Sequence, residues 1–470
     1  ECVVSALVHI VEDGARSFTP LEAMEMRRKV PRLVRLLHPK YDVIIESTLR
    51  VLTAITKDSM EGVASAGLLP NLAQILMSAE EGDRLVNCSV LLRRIFLQST
   101  MDNRPQVQRA IDLGMVPRLV ELMKLNEDPV VQQNLSHVML DLANGTTAQT
   151  AVLLKQSGFL DVLVGLIDSS KVVIARIALN RISAIACGNP EYRELLSQAG
   201  IVDRLIRTMQ QSNKLCKFVT GTLRQCSQGR AEFATAKVGA TVLSQLLATA
   251  DMEVVDMEVV ENACWALLHL LSGFKGEAVN VEEVNAVINR EFVKPILKML
   301  SSSSVSVQEA AIKCVHLITT LGDSCIQSIT NSNGLVSVKD LLCSPNGLHE
   351  KIHKPACNAI SNIIAGNTQR IQAAIDAGLM PSLVEMTSNT VYRIKRAALW
   401  AVYNATKGVT VDQVAYLVAQ GGIGHLCGML TADSNISITA LWTLQNVSVC
   451  RSILLCHLLL YAYSYLMHRC

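Results

Sequence analysis

The chain has 470 residues and a formal net charge of +2; half of its residues are hydrophobic and only 4% are aromatic. A nearly neutral chain argues against binding nucleic acid or a membrane surface through overall charge. The excess of Leu, Ala, Ile, Val and Met over aromatic residues favours helices over strands. The length fits three ordinary domains or one continuous array of repeats. The fourteen cysteines form no CxxC pair, and several fall in apolar stretches (Cys264, Cys314 and Cys357), which indicates buried free thiols in a reducing compartment.

The first residues are predicted to form a partial helix or cap over 1–24, followed by a weak first repeat over 25–60. From residue 67 onward a short phrase recurs, in which a glycine is followed by apolar residues, often by proline, and then by a leucine-rich helix. It occurs at Gly67, Gly114, Gly158, Gly200, Gly239, Gly334, Gly378 and Gly422, and without its glycine near Glu291. We expect each glycine to form a tight turn between helices, because glycine tolerates a positive φ angle.

The spacings between these phrases are 47, 44, 42, 39, 52, 43, 44 and 44 residues. The 52-residue step contains a tandem DMEVV over 251–260 and a polar loop over 274–285, which are predicted to be loop insertions on one face. A period near 43 is typical of armadillo and HEAT repeats. Stacking of such units buries a core that a single unit cannot form. We therefore predict an all-α fold, a right-handed superhelical solenoid of about nine to ten armadillo repeats over 25–450.

The end of the chain, 451–470, is predicted to be a divergent apolar tail. Residues 453–467 are mostly apolar but shorter than the roughly 20 residues that span a bilayer. A final capping helix or an aberrant tail is the first interpretation and a membrane anchor is the alternative, so no membrane association is expected.

Residues 354–446 resemble the C-terminal armadillo repeats of importin alpha, the adaptor that carries cargo with a nuclear localisation signal. The resemblance is carried by residues 359–367 (AISNIIAGN), 371–378 (IQAAIDAG), 398–406 (ALWAVYNAT) and 416–421 (YLVAQG). Weaker similarity runs through the middle of the chain. The resemblance implies a groove lined by Trp and Asn, four residues apart, on the third helix of each repeat. An Asn amide can bind the backbone of an extended peptide, and tryptophans can hold lysine stems.

Carried over residue by residue, the pattern is complete only near the C-terminus, in the pairs Trp400/Asn404 and Trp442/Asn446. Asn362 matches with Asn358 in the Trp position, and Trp265 matches with His269 in the Asn position. Earlier repeats depart from the pattern, with His137/Asp141, Asn180/Ala184, Gly221/Gln225 and Lys313/Leu317. The resemblance therefore implies peptide-binding residues Trp400, Asn404, Trp442, Asn446, Asn362 and Trp265, and a degenerate N-terminal groove.

The acids that precede the tryptophans in the family are missing, since Pro355 and Ala397 stand in two of those places and Arg396 adds a positive charge. We expect weak or altered binding of Lys/Arg-rich signal peptides. The family's basic segment that binds importin beta has no counterpart in this sequence, so importin beta is expected as a partner only if a longer form carries one. The family implies action in cytoplasm and nucleus. The alternative is a divergent armadillo scaffold that binds another extended ligand without transport activity.

Residues 349–353 (HEKIH) match the HExxH signature of zinc proteases. That signature needs a helix through both histidines, and Pro355 is expected to end or kink the helix. We interpret the match as a solvated coincidence. The glycines at 422 and 424 follow no strand, so they do not indicate a nucleotide site. We expect no catalytic residue, no metal and no cofactor, and no direct binding of nucleic acid.

Overall fold

The computed structural model describes residues 30–56, 67–79, 81–98, 104–156, 158–228, 233–249, 256–275, 279–343, 350–365, 367–430 and 433–448. Within these ranges every regular element is a helix, which confirms the predicted all-α fold. The predicted cap over 1–24 and the apolar tail over 451–470 lie outside the described residues. Among the described residues, no single helix is long and apolar enough to span a bilayer. The bent pair of helices Thr147–Leu154 and Phe159–Asp168, taken together, meets the requirement for length and apolar composition.

The described chain divides into two compact units. The first holds the described residues up to 201 together with 212–222. Its helices, after a helical segment over 30–35, are Asp42–Ile55, Leu68–Ser78, Asp83–Gln98, Arg104–Asp112, Met115–Leu125, Pro129–Leu142, Thr147–Leu154, Phe159–Gly165, Val172–Gly188 and Pro190–Gln198. Two further helices, Ile201–Gln211 and Cys216–Cys226, contribute residues to both units.

The second unit holds residues 202–211 and the described residues from 223 onward. Its helices are Phe233–Thr249, Met257–Ser272, Val281–Val287, Arg290–Met299, Val305–Ile318, Asp323–Thr330, Gly334–Leu342, Glu350–Ile364, Thr368–Asp376, Leu379–Met386, Tyr392–Ala405, Val411–Ala419, Gly422–Gly428 and Ser434–Ser448. Short 3-10 turns occur at Pro39–Tyr41, Leu166–Asp168 and Asn213–Leu215 along the whole described chain.

Most repeats contain three helices, and the last of them is called the third helix below. The name is kept for Met257–Ser272, which takes the same place in a repeat whose first two helices form one continuous helix. In the first unit the third helices pack in sequence, Asp42–Ile55 on Asp83–Gln98, then Pro129–Leu142, then Val172–Gly188. In the second unit Met257–Ser272, Val305–Ile318, Glu350–Ile364, Tyr392–Ala405 and Ser434–Ser448 do the same. The repeat prediction is thus confirmed helix by helix within each unit.

The glycine prediction holds at most of the turns. Gly67, Gly114, Gly158, Gly200 and Gly378 all have φ angles between 65° and 80°. In three of these phrases the proline follows at the third helical position, as Pro117 does in Met115–Leu125, where a missing N–H breaks no hydrogen bond within the helix.

The glycine prediction is wrong at three places. Gly239 lies inside the continuous helix Phe233–Thr249, close to Leu270 and Ile206, so the first two helices of that repeat are merged. Gly334 begins its helix, and Asn333 takes the left-handed conformation with φ 59°. Asparagine is one of the few other residues that tolerate it. The last turn falls at Gly421, with φ 80°, and not at Gly422.

Pro355 does not end its helix, which was one of the two outcomes, an end or a kink, expected from the sequence. The helix Glu350–Ile364 continues through it, and Pro355 is buried. A proline inside a helix costs about 3 kcal/mol. The apolar neighbours of Pro355 offset this cost, because Ala356 and Ile360 are fully buried in a helix that packs between two other third helices. Tertiary burial therefore outweighs local propensity here.

Candidate peptide-binding groove

The helix Tyr392–Ala405 places Trp400 and Asn404 by its pattern of burial. Ile394, Ala398 and Val402 face the core, with relative exposures of 0–2%. Residues 393, 396 and 400 are exposed and recur at intervals of three and four, so they share one face of the helix. Trp400 is 46% exposed on that face.

Asn404, one turn further along, uses its amide nitrogen to fasten the repeat to its neighbour. Nδ2 donates to the hydroxyl of Ser361 at 2.9 Å and to its backbone carbonyl at 3.3 Å. Two other asparagines repeat this arrangement. Asn446 Nδ2 donates to Thr406 Oγ1 at 3.0 Å, and Asn362 Nδ2 donates to Thr319 Oγ1 at 3.0 Å. The three residues therefore have a structural role that the sequence did not reveal.

Trp400 and Trp442 border one open groove of about 750 Å³, which we call the Trp400–Trp442 groove. Three successive third helices supply its walls, and its lining residues are Lys354, Asn358, Tyr392, Arg393, Arg396, Ala397, Trp400, Asn435, Ile438, Thr439 and Trp442. Trp442 is also 46% exposed. The structure thus brings together the two predicted tryptophans, each with its asparagine one turn away.

Tyr403 joins the two tryptophans and was missed by sequence analysis. Its ring lies 5.2 Å from that of Trp400 and 6.0 Å from that of Trp442, centroid to centroid. Lys407 Nζ lies 4.6 Å from the centre of the Tyr403 ring. The available signal was a third aromatic residue three positions after Trp400, a spacing at which side chains of a helix are neighbours.

The lining of the groove is cationic. Lys354, Arg393 and Arg396 line it, and no carboxylate is among its lining residues. Arg393 forms an exposed ion pair with Glu350 at 3.4 Å. Lys354 and Arg396 form no ion pair with any residue that the structure describes. The predicted unfavourable effect of Arg396 on basic ligands is therefore shared by two further cations.

Trp265 lies on the third helix Met257–Ser272, with two third helices between it and Trp400. Its Nε1 donates to Ser306 Oγ at 3.1 Å. Two cations of this chain already lie over its ring: Arg224 Cζ at 5.4 Å and Lys313 Nζ at 4.9 Å from the centroid. The structure therefore does not bring Trp265 into the Trp400–Trp442 groove, and a ligand cation would have to displace these contacts.

In the first unit the expected Trp and Asn positions are occupied by His137 and Asp141. Burial lowers the pKa of His137, and Arg93 and Lys171 lower it further. Burial raises the pKa of Asp141 to about 6, although Arg181 and Arg93 act in the opposite direction. Asn180 and Ala184, which occupy the Trp and Asn positions of the next third helix, are both exposed. No tryptophan is available there to form a slot for a lysine stem.

Only part of the HExxH match lies within the described residues. His349 lies outside the described residues, whereas His353 is buried with 4% exposure, so the prediction of a solvated segment is wrong for His353. It lies in the helix that continues through Pro355. Within the described ranges, no three His, Cys, Asp or Glu residues are placed to hold a metal ion.

Part of the second unit matches a known repeat family. Residues 367–407 match the Armadillo/beta-catenin-like repeat. A crystal structure of an engineered protein has the same fold, with a TM-score of 0.65 and 24% identity over 89% of this chain and 99% of that one. The chain is thus an armadillo-repeat protein, with the solenoid stacking of that class within each of its units.

The relatives with similar sequences are importin alpha subunits. Importin subunit alpha-1a of Oryza sativa subsp. japonica is 30% identical over 61% of this chain and 52% of its own length. Importin subunit alpha-1b of the same plant is 29% identical over 81% of this chain and 68% of its own length. The chain is therefore an importin alpha-like armadillo protein. It spans about half of the first relative and about two thirds of the second.

Proposed function

We propose that this protein is an importin alpha-like adaptor that binds an extended segment of a partner protein in the Trp400–Trp442 groove. The main observation is that two successive third helices each place a half-exposed tryptophan in the lining of the same open groove, and each carries an asparagine one turn later in the helix. An extended peptide presents its backbone and side chains at regular intervals, and so does a stack of repeats. The role is one of binding and not of catalysis.

The asparagines are held in place for this task. Their amide nitrogens are engaged with the preceding repeat, whereas the amide oxygens of Asn404 and Asn446 accept no hydrogen bond from any described residue. Each oxygen is available to accept a hydrogen bond from a peptide N–H. Trp400, Tyr403 and Trp442 offer aromatic faces to the side chains on either side. Asn362 extends the same arrangement by one repeat.

A Lys/Arg-rich nuclear localisation signal is the ligand implied by the resemblance, with action in the cytoplasm and nucleus. Lys354, Arg393 and Arg396 oppose such a ligand in the groove because like charges repel. Basic signals are therefore expected to bind weakly, and Trp265 is not expected to contribute while Arg224 and Lys313 cover its ring. Importin beta would require a further basic segment.

The second candidate is an armadillo scaffold that binds another extended ligand and takes no part in transport. The cationic lining of the groove is the observation in its favour. Both candidates use the same groove, so one experiment tests the binding event that they share.

The test is selection from a library of random displayed peptides on the purified chain. Trp400→Ala/Trp442→Ala is expected to lose the selected peptides by about 10-fold or more in affinity, because aromatic anchors dominate such interfaces. Trp265→Ala is the matched control and is expected to retain them. Equal capture by the wild type and the double variant would contradict the proposal, provided that circular dichroism shows both to be folded.

A further inference from the structure

The faces of the third helices that carry the Trp positions change charge from one end of the second unit to the other. The residue four positions before each Trp position is Glu261, Glu309, Lys354, Arg396 and Ile438, in chain order. These residues occupy equivalent places in successive repeats and therefore recur on the same face. Two acids are followed by two cations, and the cations lie beside the Trp400–Trp442 groove.

The two acids are already neutralised within the chain. Glu261 pairs with Arg224 at 3.2 Å. Glu309 pairs with Lys313 and lies 3.9 Å from Lys351. Arg224 and Lys313 are also the cations over the ring of Trp265. The part of this face that has the right charge for a lysine ligand is therefore occupied by the protein's own side chains.

The cations at the other end have no such partners. Lys354 and Arg396 are exposed and pair with no described residue, and the pair of Arg393 with Glu350 is exposed and easily exchanged. Asp433 is the acid near the groove's edge, and it accepts hydrogen bonds from the Tyr392 hydroxyl and from the first backbone N–H groups of the last third helix. The unmatched charge of the groove is thus positive.

From these contacts we propose that the groove selects an acidic extended segment, with a glutamate or aspartate placed against Arg393, Arg396 and Lys354. A guanidinium group binds a carboxylate through two parallel hydrogen bonds. Apolar neighbours of the acid would pack on Trp400 and Trp442. This inference rests on the proposed peptide groove and reverses the sign of the ligand charge expected from the resemblance.

The experiment uses two synthetic peptides of equal length and identical apolar residues, one with regularly spaced glutamates and the other with lysines at the same positions. Binding to the full chain is measured by calorimetry at low and physiological salt. The wild type is expected to bind the glutamate peptide at least about 10-fold tighter, with the difference reduced by salt. Lys354→Glu/Arg396→Glu is expected to reverse the preference.

A matched control carries the same change in net charge at exposed sites outside the groove lining. Arg207→Glu/Arg290→Glu meets this requirement in the second unit and is expected to keep the wild-type preference. Tighter binding of the lysine peptide by the wild type, lost in Trp400→Ala/Trp442→Ala, would overturn the acidic ligand and leave the peptide groove intact. Binding of neither peptide, or binding that does not depend on these tryptophans, would overturn both.

Discussion

Burial and nearby arginines shift the pKa of the Asp141 carboxyl group in opposite directions. It lies in the third helix Pro129–Leu142, where burial disfavours its charged form and the nearby Arg181 and Arg93 favour it. Burial has the larger effect, and the pKa rises from 3.8 to about 6. The folded chain therefore binds a proton more tightly at this site than the unfolded chain does.

The raised pKa of Asp141 makes the stability of the folded chain depend on pH. Because the folded pKa is raised, the folded state loses stability as the pH rises from about 4 to above 6, and the loss is complete at neutral pH. Asp141→Asn is expected to raise the free energy of unfolding by about 1–2 kcal/mol at pH 7.5 and by much less at pH 4.5. Thermal midpoints at the two pH values measure this. Asp112→Asn, at an exposed site, is the control, and an effect of Asp141→Asn that does not change with pH would refute the account.

The cysteines give a second prediction at this scale. Cys264, Cys314 and Cys357 are buried free thiols, as the sequence indicated, and burial raises the pKa of Cys264 and of Cys357 to about 12. Cys343 is exposed. Brief alkylation of the native chain, mapped by mass spectrometry, should modify Cys343 roughly 100-fold faster than these three, because the thiolate is the reactive form. Comparable rates at all four would mean that the helices do not bury the thiols.

The site residues could be predicted from sequence only in part. The four-residue spacing of Trp400 and Asn404 placed both on one helix face, and that needs no tertiary information. The partners of Trp265 come from the two adjoining repeats, since Arg224 precedes it and Lys313 follows it by more than 40 residues. Such contacts depend on how repeats pack against each other. The spacing pattern therefore could not show that Trp265 is covered.

At the scale of the helices, the glycine motif predicted most turns correctly. It failed where contacts with other helices determined the local structure. Glycine followed by apolar residues correctly marked the turn at Gly114. The same signal at Gly239 falls within a helix, and a Cβ atom placed there would lie 2.7 Å from Leu270 Cδ1. That glycine is explained by close approach of another helix and not by a φ requirement. Sequence alone cannot distinguish the two reasons for a glycine.

Two glycine substitutions test the effect of backbone conformation at sites where a Cβ atom would have room in both cases. Gly114 has φ 65°, and a Cβ atom at this position would have no other atom within 4 Å, so Gly114→Ala should lower stability by about 1–2 kcal/mol through backbone strain alone. Gly188 ends the helix Val172–Gly188 with no such strain and also has open space. Gly188→Ala should be neutral or stabilising by about 0.4–1 kcal/mol. Thermal unfolding of both variants checks this, and equal losses would show that backbone strain is not the cause.

At the scale of the molecule, neighbouring repeats depend on each other because the core lies between them. Leu399 belongs to a buried cluster with Leu426, Met429, Ile436 and Ala440, which come from the following repeat. A defect in such a cluster should weaken the repeats that share it, whereas distant ones keep their own contacts.

Leu399→Ala should cost about 2–5 kcal/mol locally, because it opens a cavity in that cluster. Hydrogen exchange by mass spectrometry is expected to show faster exchange over 392–448 and unchanged exchange over 104–188. Leu441→Ala, which removes the same atoms from a side chain that is 53% exposed, is the matched control and should have little effect. Uniform acceleration along the described chain would argue against nearest-neighbour stability.

The row formed by Trp400, Tyr403 and Trp442 also makes the groove visible by spectroscopy. The chain has three tryptophans, and two of them stand half in solvent on either side of one tyrosine. Light absorbed by Tyr403 will pass to the adjacent indoles, and the wavelength of their emission will follow the polarity of whatever lies against them. Occupation of the groove can thus be followed by intrinsic fluorescence on an unlabelled chain, with Trp265 as the only background indole.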